Sequence, residues 1–345
     1  MRYASRALAR IFLTFSCFSP VAIAAHADGS VNIYSYREPK LIEPLLAAFT
    51  AKTGIATNVV FAKEGLIERL TAEGKNSPAD VLLTNEFGLL TQAVAAGVTA
   101  PVQSDTNGKQ VPAEFRDPAG QWVGLSRRAR IIYASKDRVA QNEIRYEDLA
   151  DPKWRGKICS RSGQHTYNVA LVASMIANLG EEKAEAWLTG VKANLARKPA
   201  GGDREQVRDV QAGLCDIAIG NTYYMIAMQN SPEQKPWADA VKILFPNAGD
   251  RGTHVNITGM SRTAFAPNGD NAVALMEFLV SNEAQKLYAE AIGEYPVVAG
   301  VPASAAVEAW GPLKADPLPL SKIGALRRRA SELVDRVRFD QGPNS

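Results

Sequence analysis

Two tyrosines stand side by side at Tyr223 and Tyr224, directly after the short strand-like run of Cys215-Asp-Ile-Ala-Ile-Gly220. Adjacent phenols at the mouth of a buried strand can turn toward one hard cation. A phenolate is a hard oxygen donor, and ferric iron is the hard metal that recruits several of them; carboxylate, carbonyl and water suit magnesium, calcium or manganese, and thiolate or imidazole the softer ions. A phenol titrates near ~10, so ligation at neutral pH requires the ion itself to displace the proton. Only a strong Lewis acid does that. The competing reading is structural, because tyrosine is an amphipathic core residue whose hydroxyl finds a hydrogen-bond partner when buried. The rest of the chain decides between them.

The compartment comes first. Arg2, Arg6 and Arg10 precede an apolar stretch from Ile11 to about Ala25, and Ala25-His26-Ala27 has the small-x-small form of a signal-peptidase site. The expectation is a cleavable signal peptide over residues 1–27 and an exported chain that begins at Asp28. The stretch is too short and too broken by Ser and Pro to span a membrane stably, and no later window approaches ~20 apolar residues. Cys17 has no lipobox-like run before it. Removal of residues 1–27 takes away three arginines and no acid, so 39 basic and 36 acidic residues become 36 of each. A neutral chain argues against nucleic acid, which wants a basic face, and gives membrane-surface binding no electrostatic support. The basic run Arg327-Arg328-Arg329 reads as a solvated helix face, since Leu326, Ala330, Leu333, Val334 and Val337 make an apolar stripe around it. Two cysteines remain, Cys159 and Cys215. An even count in an exported chain reads as a disulfide. Each lies eight residues before a tyrosine, Tyr167 and Tyr223, so a bridge would bring the two following loops to one place.

Strand-like and helical stretches alternate along most of the chain. Val31 to Tyr34, Asn58 to Phe61, Val81 to Leu83, Arg130 to Ala134 and Asp216 to Ile219 read as strands. Leu41, Ile42, Leu45, Leu46 and Phe49 share a helical face that ends at Gly54, and further helices follow at Leu66 to Leu70, Leu89 to Ala96 and around Val169 to Leu179. Beyond Pro267 the pattern is helical. This is α/β. The mature length exceeds one comfortable core, and no Pro/Gly/Ser tether appears, so two lobes joined by crossing strands are expected. Ligands of such folds sit beyond the carboxyl ends of strands, in the cleft. Tyr36, Tyr167, Tyr223 and Tyr224 all follow strand-like stretches and can face one cleft.

With these residues in view, the chain resembles the periplasmic ferric-ion-binding proteins of ABC iron importers, a branch of the bilobal (type II) periplasmic-binding-protein superfamily. The matching stretches are Val31-Asn-Ile-Tyr-Ser-Tyr-Arg37, Asn76-Ser-Pro-Ala-Asp-Val-Leu-Leu-Thr84, Gly124-Leu-Ser-Arg-Arg-Ala-Arg130, Gly201-Gly-Asp-Arg204, Asn221-Thr-Tyr-Tyr224 and Glu294-Tyr-Pro-Val297. The resemblance implies an extracytoplasmic monomer that captures Fe(III) and hands it to an ABC permease. It implies metal ligation by Tyr223, Tyr224 and Tyr167. The first-lobe ligand departs from the family: where some members hold a His and a Glu, this chain has Arg37 and Asn85, and where others hold a His-Tyr pair it has Glu38-Pro39. Tyr36 is the nearest phenol and takes that role, with Tyr34 as its competitor inside the strand. Arg128 falls where the family keeps an arginine near the metal, with Arg127 and Arg130 as alternatives. Ser162 and Gly163 fall where some members hold a synergistic anion such as carbonate. His165 reads as a surface histidine and His254 as part of the hinge crossover. The lobes are expected over 28–128 with 254–300, and over 129–253 with 301–345.

A sibling binder for polyamine, sulfate, phosphate or another small solute is the alternative on the same scaffold. A polyamine site would want carboxylates and an oxyanion site helix termini and hydroxyls, so clustered phenols favour iron. An enzyme reading finds no Gly-x-Ser-x-Gly, no His-Glu-x-x-His and no Ser-x-x-Lys.

Overall fold

The protein is described from a computed structural model over residues 29–344. The signal peptide expected over residues 1–27, Cys17 included, lies outside the described residues. Ten strands form one curled sheet: β1 (Ser30–Ser35), β2 (Ala56–Phe61), β3 (Val81–Thr84), β4 (Thr99–Ala100), β5 (Val123–Ser135), β6 (Ile158–Cys159), β7 (Ile217–Asn221), β8 (Val241–Leu244), β9 (Val255–Thr263) and β10 (Tyr295–Pro296). The order is β2-β1-β3-β9-β5-β7-β6, with β4 beside β9 and both β8 and β10 beside β5. β1 runs parallel to β2 and β3, and β6 to β7, as crossover helices require; β9 and β5 are antiparallel to their neighbours.

Local chemistry sets these elements. The edge strand β2 alternates exposed and half-buried residues, whereas the central β3 is buried throughout. The helix Glu43–Thr53 starts with Pro44 in its first turn and stops at Gly54, which takes the left-handed conformation (φ 78°) that a side chain would strain. The strand expected at Arg130 to Ala134 is the end of the much longer β5. Arg127, Arg128 and Arg130 interrupt its apolar pattern, yet Arg128 and Arg130 are buried. Asp203 pairs with Arg130, and Arg128 donates to Thr258.

At thirteen residues β5 extends roughly 40 Å, long enough to take part in two cores. Val123 and Leu125 at its start pack with Val31, Ile33, Phe49, Leu275 and Phe278. Ile132 and Ala134 at its end pack with Val172, Met175, Trp187, Ile217, Leu333 and Val334. β9 runs beside it over Val123 to Ala129. The chain therefore passes between the cores along paired strands, without a tether.

Cys159 at the end of β6 is bonded to Cys215 just before β7, with Cα atoms 5.8 Å apart. The bridge pins the two parallel strands whose following segments carry Tyr167 and Tyr223. Closing a loop of this length stabilises by up to ~4 kcal/mol in the chain-entropy model. Unreduced peptide mapping of the purified protein is expected to find Cys159 joined to Cys215, and reduction to lower the melting temperature; two free thiols would contradict the pairing.

Candidate metal centre

Tyr223 and Tyr224 open the helix Tyr223–Gln229, one residue after the end of β7. Their ring centroids are 4.2 Å apart. Tyr167 is the second residue of the helix Thr166–Leu179, and its amide donates to Nδ1 of the capping residue His165 at 3.3 Å. The two helix starts meet: Tyr167 Oη lies 3.2 Å from Tyr223 Oη. Tyr36 directly follows β1 and borders the same cleft, which has a volume of about 770 Å³. Its hydroxyl accepts from the Ile67 amide at 3.0 Å, at the start of the helix Leu66–Glu73. The structure thus brings three phenols together, and the fourth lines the same cleft. Tyr34, the competitor, donates to Glu73 at 2.8 Å and does not border the cleft.

Arginines surround these rings. The guanidinium carbons of Arg128, Arg130 and Arg161 lie 5.4, 5.8 and 5.4 Å from the Tyr167 centroid. Arg37 lies 5.3 Å from the Tyr223 ring and Arg204 5.5 Å from that of Tyr224. Each close contact contributes about 0.5–2 kcal/mol, more where water is excluded. Two buried carboxylates hold the cations in place. Asp203 pairs with Arg130 at 2.6 Å and Arg161 at 3.1 Å, and accepts from the Asn221 amide at 2.9 Å. Burial alone would raise the Asp203 carboxyl, but Arg130 and Arg161 hold it below its ordinary value. Glu294 pairs with Arg37 at 2.7 Å, with the side chains of Ser126 and Thr258 alongside. Burial works against the Arg37 charge, and Glu294 with the neighbouring phenols outweighs it.

The phenols respond to the same field. Burial pushes Tyr223 well above the usual phenol range, and its neighbours Tyr167 and Tyr224 add to the rise. Tyr224 is raised by burial, then by Tyr167 and Asp203; Tyr36 is raised by burial, with the Ile67 amide opposing. Burial thus favours the neutral form of Tyr36, Tyr223 and Tyr224. A trivalent ion is the kind of partner that would remove their protons.

Two expectations need correction. His165 is half-buried rather than free at the surface: it borders the cleft with its ring 4.6 Å from that of Tyr167, and burial followed by the Arg161 charge holds it down to about 3, so it caps the helix as a neutral acceptor. Arg327 is not solvated like Arg328 and Arg329; its Nη1 sits 2.6 Å from Glu86, whose Oε2 also accepts from Thr166 at 3.1 Å. Gly88 makes that reach possible, because a Cβ there would lie 2.1 Å from the Arg327 side chain. At Ser162 and Gly163 the structure supplies its own anion. Asp340 accepts from Ser162 Oγ and from the Gly163 amide, each at 2.6 Å. His254 sits buried just before β9, in the crossover as expected.

Sequence reasoning missed Asp203, Arg161 and Arg204 as parts of the site, although Gly201-Gly-Asp-Arg204 carries two of them. It also missed the pair Glu38–Arg204, 3.6 Å, which joins the loop after β1 to the first turn of the helix Asp203–Gln211. Among the described residues no group of three His, Cys, Asp or Glu could hold a metal ion.

This fold and cleft define a two-lobed solute-binding protein. The family model for bacterial extracellular solute-binding proteins matches residues 76–314, and the chain belongs to that family. It is 42% identical to iron uptake protein A1 of Synechocystis sp. over 323 residues, 92% of this chain and 90% of that one. It superposes on the apo ferric ion-binding protein A of Pasteurella haemolytica with a TM-score of 0.87 and 48% identity, covering 90% and 98% of the chains. The Trichodesmium protein IdiA (FutA), solved with iron and citrate ligands, gives 0.84 and 43%, covering 90% and 100%.

Because the folded phenols titrate higher than those of the unfolded chain, the stability they confer is complete below ~10 and is lost as pH rises beyond it. Alkaline titration of the iron-free protein, followed at the phenolate absorbance, is expected to leave a buried group of tyrosines protonated until the protein unfolds. Smooth ionisation of every tyrosine near ~10 with the fold intact would contradict this.

Proposed function

We propose that the protein is an extracytoplasmic binding protein, not an enzyme, that captures ferric iron through Tyr167, Tyr223 and Tyr224 and delivers it to an ABC permease. The observation that carries this reading is the convergence of three phenols at two helix starts, Tyr167 and Tyr223 buried and Tyr224 half-buried, with Tyr167 Oη and Tyr223 Oη 3.2 Å apart. Phenolates in number are what a hard trivalent ion selects. The iron-uptake and ferric-binding names of the relatives support it. Tyr36 is assigned the first-lobe role: a phenolate oxygen that accepts one hydrogen bond from Ile67 keeps further lone pairs for an ion. Arg128, its guanidinium carbon 5.4 Å from the Tyr167 ring centroid, is assigned the role of the arginine beside the metal site. If a synergistic anion such as carbonate completes the coordination, the arginines of the cleft wall suit it better than Ser162 and Gly163, which Asp340 engages. Those same arginines, Arg37, Arg161, Arg204 and Arg327, would repel a polyamine.

The remaining assignments follow the same reading. The chain is exported by a signal peptide over 1–27, works in the periplasm as a monomer, and divides into lobes over 28–128 with 254–300 and 129–253 with 301–345. The two hydrophobic cores support that division.

Tyr223→Phe and Tyr224→Phe each keep the ring and remove one oxygen donor. In chelator competition both are expected to lose more than ~10²-fold in ferric affinity with an unchanged circular dichroism spectrum; wild-type competition by both variants would overturn the ligand assignment. Binding of the ion across the lobes favours the closed arrangement. Iron is therefore expected to reduce the radius of gyration in small-angle scattering, and Tyr36→Phe to weaken that compaction more than occupancy. Identical scattering with and without bound iron would contradict closure.

A further inference from the structure

A second cavity, of about 10 Å³, shares only Tyr167 with the cleft and is otherwise walled by Arg128, Arg130, Asn221, His254 and Asn256. Such a volume suits one small particle. Its walls offer donors in excess. Arg128 is buried, and while its Nη1 donates to Thr258 Oγ1 at 2.9 Å, its Nε and Nη2 meet no acceptor of the described protein. Arg130 Nε and Asn221 Nδ2 are likewise unmatched. Two of the amide acceptors nearby are already engaged. Asn256 Oδ1 accepts from the Phe87 and Ile257 amides, and Asn221 Oδ1 from Arg130 Nη1. His254 stays neutral, held down to about 3 by burial and by Arg130 and Arg128.

Charge points the same way as the hydrogen bonds. Asp203 compensates Arg130, but among the described residues no carboxylate forms an ion pair with Arg128. A buried guanidinium without a counter-charge is costly. We propose that this cavity binds a small inorganic anion of halide size between Arg128, Arg130 and Asn221. A water molecule could accept two of the free N–H bonds and would leave the charge of Arg128 as it is; an anion accepts more and neutralises it. The residues concerned come from β5, β7 and β9, so the anion would tie together the strands that cross between the cores. The site stands whether or not the cleft takes iron.

Two measurements on the iron-free mature protein test this. Crystals soaked in sodium bromide are expected to give an anomalous peak in the cavity. Thermal unfolding at fixed ionic strength is expected to rise by roughly 5 °C when chloride replaces gluconate, which is too large to enter. Asn221→Asp keeps the acceptor for Arg130 and adds a fixed carboxylate, so it should remain folded while losing both the bromide peak and the chloride response. A wild-type cavity without bromide, together with coincident chloride and gluconate curves, would overturn the proposal in favour of water. A chloride response that persists unchanged in Asn221→Asp would overturn it as well, since the anion would then act elsewhere.

Discussion

Everything in the cleft follows from the burial of phenol oxygens against one another. Tyr167 and Tyr223 touch through their hydroxyls, with the Tyr224 ring against Tyr223, and this arrangement is tolerable only while the groups are neutral. Burial and mutual proximity hold Tyr223 and Tyr224 in that state. The same features make the site responsive to a strongly charged ion. An ion that displaces the protons converts crowded neutral groups into a preformed set of anionic donors. Two helix starts hold the oxygens together, and the disulfide between β6 and β7 supports both.

The arginines set positive charge around this cluster of phenols. Arg128, Arg130 and Arg161 face one ring, while Asp203 anchors Arg130 and Arg161 and Glu294 anchors Arg37. Buried pairs of this kind contribute little net stability, and removing one partner is expensive, on the order of 3–5 kcal/mol. Their value is positional. The contacts Glu38–Arg204 and Glu86–Arg327 join elements of the two cores around the cleft.

Much of this was legible in the sequence, and for definite reasons. Tyr223 and Tyr224 follow an apolar run whose strand character is unambiguous, and the stop at Gly54 is written in the residue itself. Cys159 and Cys215 were a pair by count and compartment. What resisted reading was the polar interior. β5 was seen only at its apolar end, because Arg127, Arg128 and Arg130 look like surface residues until Asp203, some seventy positions away, is known to lie beside Arg130. His165 and Arg327 were read as solvated for the same cause: a side chain's neighbours across the cleft leave no trace in local periodicity. Asp340, near the end of the chain, takes the helix start at Gly163 in a way no spacing rule could anticipate.

The central claim is that phenolate oxygens hold a ferric ion in this cleft, and absorbance tests it most directly. Titration of the iron-free protein with ferric citrate is expected to develop a visible phenolate-to-iron charge-transfer band that saturates at one ion per chain. A colourless titration, or a band that never saturates, would contradict the account.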